Sequence, residues 1–456
     1  MKFTVLLSRA AVITAIALVS GVTHADQLTP AQISSLGTSL TPVGADPKGN
    51  ESKTIPPWTG GLPTNAAPIS NNYVSNPFPD DKPLFVITAG NYREHLDKLT
   101  PGQVAMFTRY PETFKMPIYT SRRSVGFPDS VYKEVRETAG QARTVNGGDG
   151  ITNFDFKYFA FPIPSTGAEA LWNHKTRYRI NLQRSYANAT PTSNGDYNTV
   201  HVEESLAYPQ FVKDADLEKL KGIFTFLQQR TISPARYAGN VLLVHDTLDP
   251  TALPRLAWTY SAGQRRVRRA PQVVYDSPDT NADGMRTVDN FFLFSGAPDL
   301  YNWKLVGKKE IYVPYNSYKL ADPNIKYADI LKPGHINSDL TRYELHRVWE
   351  VDGTLKEGAR HIYAKRNLFI DEDSWMILTA DHYDGRGNLW RVGEGHLLQQ
   401  YHRQIPSYAV ETLYDLIAGR YTAAGMYNNE GSGPNFNYNP SYNDFTPSAL
   451  RSAGIR

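Results

Sequence analysis

From Arg177 onward the chain is a succession of short β-forming runs divided by turn residues, and no other feature limits its fold as strongly. Runs at 178–187, 197–207, 223–232, 238–247, 256–261, 265–270, 304–313, 342–351, 361–370, 375–383 and 389–401 are rich in Val, Ile, Leu, Thr and aromatic residues. The last three are joined by Asp371-Glu372-Asp373 and Gly385-Arg386-Gly387, turns that allow only antiparallel pairing in a meander. Strands joined in sequence, with helices gathered elsewhere, predict an α+β fold with one large, curved antiparallel sheet. Two runs, Val241-Leu242-Leu243-Val244 and Trp375-Met376-Ile377-Leu378, are apolar on both faces and need cover on each. That cover is either a plain two-layer core or a sheet wrapped around helices with an apolar ligand cavity within.

The first 176 residues are of another kind. Lys2, an apolar run over 10–22 and small residues before Ala25 read as a secretory signal peptide cleaved after Ala25. Thr29-Pro30-Ala31-Gln32 and Thr100-Pro101-Gly102-Gln103 are capping boxes with proline at the first helical position. They predict helices reaching about Ser39 and spanning 101–109; further helices are expected at 92–98, 131–141, 166–173 and 410–418, and a strand at 116–124. Residues 41–83 lack periodicity and carry Ile55-Pro56-Pro57-Trp58, the pattern of an extended arm pinned by Trp58. The expected organisation is a signal peptide (1–25), an N-terminal helix and arm (26–83), an open-barrel domain (84–427) and an extended tail (428–456).

There is no cysteine, which removes disulfides, thiolate ligands, a thiol nucleophile and the lipid-modified cysteine of a lipoprotein. With a signal peptide and no later span of about 18 apolar residues, a periplasmic protein, peripheral to a membrane at most, is expected. A net charge of +3 over 456 residues gives no case for nucleic acid.

The hairpin 256–270 is unusual. An aromatic strand with Trp258 and Tyr260 turns at Ala262-Gly263 into one bearing Arg265, Arg266, Arg268 and Arg269. Its period of two puts Arg265, Val267 and Arg269 on one face and Arg266 and Arg268 on the other. Such charges either keep an edge strand from pairing with another molecule or meet an anionic or amphipathic partner. A phenylalanine-rich segment follows, Asp289-Asn290-Phe291-Phe292-Leu293-Phe294, then Gly296-Ala297-Pro298-Asp299.

These motifs resemble those of bacterial proteins related to outer-membrane lipoprotein-sorting (LolA/LolB-like) periplasmic proteins. Those at 40–50, 55–61, 172–179, 303–316, 342–351 and 360–375 narrow the likeness to domain-of-unknown-function family 1329, over about 40–391. The resemblance implies an incomplete antiparallel barrel plugged by helices on an apolar concave face, suited to carrying a lipid-like molecule. It also implies association with efflux-type transporters of the resistance-nodulation-division class. On this reading Trp258, Tyr260, Phe291, Phe292, Phe294, Trp375 and Ile377 are candidate ligand contacts. Arg265, Arg266, Arg268 and Arg269 are candidate contacts for a head group or partner.

Signatures of catalysis are missing. There is no Gly-x-Ser-x-Gly elbow, P-loop, dinucleotide fingerprint or His-Glu-x-x-His, and no catalytic residue or cofactor is assigned. Residues 279–284 match half a calcium loop, but Asn290 stands where a bidentate Glu is required, so a polar turn is the better reading and no metal is expected. Asp371-Glu372-Asp373 reads as a solvated turn, paired with Arg366 or Arg386, rather than a cation site. His346, His361, His382, His396 and His402 fall on neighbouring strands, with Glu344 beside His346 and Glu394 beside His396. The leading expectation is a carrier of a hydrophobic molecule. The alternatives are an accessory protein docking on an envelope partner and a β-scaffold enzyme using those His and Glu positions.

Overall fold

Fifteen strands form a single sheet in the computed structural model, which describes residues 28–271, 273 and 275–455. The expected signal peptide lies outside the described residues. In chain order the strands are β1 (Phe85–Ile87), β2 (Met116–Tyr119), β3 (Leu182–Ala189), β4 (Thr199–Ala207), β5 (Ile223–Ser233), β6 (Val241–Thr247), β7 (Leu256–Ser261) and β8 (Arg266–Arg269). Then come β9 (Tyr301–Pro314), β10 (Tyr343–Leu355), β11 (Lys365–Asp371), β12 (Ile377–Tyr383), β13 (Leu389–Gln400), β14 (Ile405–Asp415) and β15 (Arg420–Met426). The order across the sheet is β8-β7-β6-β5-β4-β3-β15-β14-β13-β12-β11-β10-β2-β1, with β9 also on β10. All pairs are antiparallel except β2 with β10. The end strands β8 and β1 do not pair, so the sheet is open, as expected of the α+β class.

The helices are α1 (Pro30–Ser35), α2 (Pro101–Arg109), α3 (Asp129–Thr138), α4 (Gly167–Thr176), α5 (Tyr327–Ile330) and α6 (Ala449–Ile455). Both predicted capping boxes form, at Thr29 and Thr100. Helix α4 is capped by Thr166 and Glu169 and is buried along its whole length. Gly167 lets it cross β9, because a Cβ there would stand 2.7 Å from the Lys304 carbonyl carbon. Trp172 anchors the helix by donating its indole N–H to the Gly148 carbonyl at 3.0 Å.

Residues 410–418 are not the expected helix. They belong to β14 and the turn after it, closed by Gly419 at a left-handed φ of +64°. Two-sided burial explains the misreading: Leu413 and Tyr414 point to opposite faces and both are buried, so the strand lacks the polar alternation that marks one. Strand β15, rich in small residues, carries no strand signal of its own.

The arm and tail supply cover for the two-faced strands. Trp58 donates to the Val125 carbonyl at 3.0 Å and meets Tyr132 edge-on, pinning the arm, while Trp375 donates to the Val43 carbonyl at 2.9 Å. The tail is not extended throughout: it ends in a 3-10 turn (Tyr442–Phe445) and α6. Phe445 and Leu450 pack with Phe226, Val241, Leu243 and Tyr260 on one face of β5–β7. The opposite face of those strands is left for a cavity.

Candidate ligand cavity

The cavity floor follows from strand register. Leu182 of β3 stands opposite Leu206 of β4, which faces Leu227 of β5, then Val244 of β6, then Ala257 of β7. One apolar row therefore crosses five strands on a single face. The next row, Arg184, Glu204, Gln229, Leu242 and Thr259, is polar at its near end. There Arg184 donates to Glu204 at 2.9 Å and Gln229 donates to the same carboxylate at 2.9 Å.

The roof is the segment 287–296. Its anchor is Asp289, whose Oδ2 accepts from Arg366 of β11 at 2.5 Å and lies 3.0 Å from His361 Nε2. Burial pushes this carboxyl up, but the Arg366 guanidinium and His361 outweigh it and hold it at about 2. Asn290 lies 3.1 Å from His382 Nε2 on β12. Beyond the phenylalanines, Lys175 Nζ donates to the Ser295 and Gly296 carbonyls at 3.0 and 2.8 Å. Gly296 is required for this fold-back, since a Cβ would sit 2.8 Å from that of Asp289.

Between the anchors, Phe292 and Leu293 both adopt the left-handed region, at φ +54° and +63°. Each costs about 1–2 kcal/mol for a residue with a side chain. The Leu293 N–H donates to Glu411 at 3.1 Å, which helps to hold the turn. Its effect is to project Phe291, Phe292 and Phe294 toward the floor. Three adjoining chambers result. The first, of about 650 Å³ counted to its open mouth, lies between Leu227, Leu242, Val244 and all three phenylalanines. The second, about 570 Å³, is bounded by Leu182, Ile405, Tyr408 and Phe436, and shares Phe292, Leu206, Arg177 and Arg179 with the first. The third, about 1210 Å³, runs under Thr259, Val273 and Phe291 toward Asn281.

Of the residues singled out in the sequence, Phe291, Phe292 and Phe294 line the first chamber. Tyr260 borders the third, but its ring packs on the tail at Gly454. Trp258 shares that face, where Arg269 stacks on it at 5.3 Å. Trp375 and Ile377 are fully buried in the neighbouring core. Arg266, Arg268 and Arg269 form the exposed edge strand β8, and Arg265 makes its turn at φ +52°; none of the four lines a chamber. Sequence reasoning missed the cations that do, Lys175, Arg177 and Arg179. They lie at alternate positions in the WNHKTRYR motif, and that alternation was the available signal.

The other candidate chemistry is structurally committed. Asp279 of the half calcium loop accepts from Arg286 at 2.8 Å. In the Asp371-Glu372-Asp373 turn, which is buried rather than solvated, Arg123 donates to both Asp373 oxygens at 2.6 and 2.8 Å. Glu372 takes Arg347 and Lys308, so neither Arg366 nor Arg386 is the partner of this turn. His346, Asp371 and Asp373 could bring ligand atoms within 4.8 Å of one another, yet Arg123 already supplies a positive charge there. His346 stacks on Tyr315 at 3.7 Å and lies 3.2 Å from Glu344. His361 and His382 serve the roof, His396 lies 3.7 Å from Glu394, and His402 is edge-on to Phe436. The five histidines thus stand in separate surroundings rather than in one shared site, and neither ring nitrogen of His396 has a hydrogen-bond partner among the described residues.

The model of the family described as proteins of unknown function (DUF1329) matches residues 86–451. The chain belongs to the DUF1329 family. An uncharacterized protein of Pseudomonas aeruginosa is 55% identical over 423 residues, which cover 92% of this chain and 93% of the relative. Among solved structures, an outer-membrane lipoprotein-sorting protein domain from Vibrio parahaemolyticus is similar at a TM-score of 0.42 and 12% identity, over 62% of this chain and 97% of that one. A DUF1329 protein from Desulfovibrio piger gives a TM-score of 0.39 and 15% identity, over 59% and 90% of the two chains. A LolA-superfamily protein from Nitrosomonas europaea gives 0.34 and 12%, over 57% and 90%. Among the described residues no helix is long and apolar enough to cross a membrane.

Proposed function

We propose that this DUF1329 protein binds a hydrophobic molecule in the chambered cavity and carries it through the periplasm. The supporting observation is that Leu206, Leu227 and Val244 of the apolar row, with Leu242, face three phenylalanines across open space. A core built only for stability would close that space, since interiors pack to crystal-like density and each unfilled methyl-sized void costs about 1 kcal/mol. An apolar guest gains roughly 0.8 kcal/mol for each methylene removed from water. The strained roof is tied down at Asp289, Leu293 and Ser295, which supports a site formed without a guest.

Protein purified without detergent is expected to retain hydrophobic molecules, detected by native mass spectrometry and solvent extraction. Leu242→Trp, which fills the boundary of the first and third chambers, is expected to lower bound material and the uptake of an uncharged fluorescent probe by at least about tenfold, the equivalent of ~1.4 kcal/mol. Empty wild-type protein that also fails to take up the probe would refute the carrier reading.

A further inference from the structure

The wall shared by the first two chambers holds two guanidiniums that have no counter-ion among the described residues. Arg177 and Arg179 follow α4 in extended chain and line both chambers. Arg177 is 3% exposed. Its Nη1 donates to the His174 carbonyl and Arg179 Nη2 donates to that of Lys175 at 2.9 Å, while the Nε of each is buried with no partner. Both rest on the Phe292 ring, at 5.1 and 5.2 Å from its centre, which compensates a buried cation only in part.

The neighbouring charges do not fill the gap. Asp246 is taken by Arg255, and Glu204 by Arg184. Glu411 borders the second chamber but accepts the Leu293 N–H, and burial pushes its carboxyl up, which weakens it as a counter-ion. Lys175 lines the first chamber alone and is spent on the Ser295 and Gly296 carbonyls. Burial, and then repulsion from Arg179, bring Arg177 down to about 9, because its charge is poorly compensated where it lies. A buried cation without a partner is costly, and forked N–H donors suit a carboxylate or phosphate.

We infer that the guest is an acidic amphiphile whose carboxylate or phosphate sits on Arg177 and Arg179 while its chain lies along the apolar row of β3–β7. This rests on the carrier reading above and specifies its cargo. Phe292 stands between the two chambers, so one headgroup position serves a chain directed into either.

The test is displacement of uncharged N-phenyl-1-naphthylamine from delipidated full-length protein by palmitate, by neutral monopalmitoylglycerol and by inorganic phosphate. Palmitate is expected to bind roughly tenfold to a hundredfold more tightly than the neutral ester, as charge-assisted hydrogen bonds allow. Phosphate alone should displace nothing. In the double variant Arg177→Gln/Arg179→Gln the palmitate advantage should disappear, the ratio of palmitate to ester affinity, both measured in that variant, falling to about one. Equal affinity for acid and ester, or palmitate binding unaffected by the double variant, overturns the acidic headgroup and leaves the carrier reading standing. Displacement by phosphate at the concentrations of palmitate overturns the amphiphile. Failure of all three organic molecules to bind overturns the carrier reading and this inference with it. If the double variant loses probe binding too, Arg179→Lys and Arg177→Lys singly, which keep the charge, must retain the palmitate preference, and its loss in both overturns the proposal.

Discussion

Asp289→Ala is expected to destabilise the protein by about 3–5 kcal/mol, the cost of leaving one partner of a buried ion pair uncompensated. Arg366 is fully buried on β11 and also donates to the Tyr301 hydroxyl at 3.2 Å, so it cannot swing out to water when its carboxylate is gone. The same carboxylate accepts from the Thr287 hydroxyl, and the Asp289 carbonyl accepts the Ser295 N–H at 2.9 Å. Its removal therefore frees the roof, and the expected signs are faster proteolysis within 275–296 and loss of probe binding alongside a lower urea midpoint. The acid limb tests the cause. The folded pKa of about 2 lies below the ordinary carboxylate value, so this stability is fully present above about pH 4 and is lost as pH falls through 2. The variant should lack that acid-dependent loss, worth about 2 kcal/mol in the wild type. A wild-type-like midpoint would show that the Asp289 pair does not hold the roof.

Glu394→Gln is expected to make stability less dependent on pH between about 5 and 8. Glu394 sits fully buried on β13, and burial drives its carboxyl up to about 8 against the single proton that the Tyr343 hydroxyl shares between its two oxygens, at 3.0 and 3.1 Å. Asp381 on β12 adds repulsion and is itself raised to about 7, by burial against the Gly102 N–H at the start of α2. His396, 3.7 Å away, is no counter-ion because burial brings it down to about 3. A folded pKa above the unfolded one means that the folded chain holds the proton more tightly. This contribution is fully present below about pH 4.5 and is lost as pH rises through 8. The unfolding free energy of the wild type, from denaturant titrations, should fall across that window by an amount on the order of a few kcal/mol. The glutamine variant keeps the shape and an acceptor for Tyr343 without a titrating proton, so its curve should be flatter, retaining the Asp381 part. Parallel curves would mean that Glu394 is ionised in the folded protein.

Local signals were reliable where a few neighbouring residues settle a conformation. The capping boxes at Thr29 and Thr100 formed, because the threonine and glutamine that satisfy each helix start are three residues apart. Strand runs such as 256–261 and the meander after His361 formed for the same reason, alternation and turns being local properties. Family membership was also legible, since motifs such as WNHKTRYR, and Asp289-Asn290 with Gly296, stand in the sequence itself. Their meaning was not. Nothing near Asp289 says that its partner is Arg366, and nothing near Gly296 says that Asp289 packs on it.

The arginines carry the same lesson further. The sequence draws the eye to Arg265, Arg266, Arg268 and Arg269 because they are crowded together, yet crowded charges need water, and they stand on an exposed sheet edge. Arg177 and Arg179 attract less notice, being two among alternating residues after a helix. Only the tertiary structure places them between two chambers, Arg177 buried and Arg179 half-buried, with neither paired to a carboxylate among the described residues. By itself, then, the sequence determined the strand-rich class, the helix starts and the family, all set by contacts within a few residues. Tertiary structure alone decided where the cavity lies and which charges face it. Register across five strands and the return of a distant segment over them are sums of long-range contacts, and no local pattern encodes them.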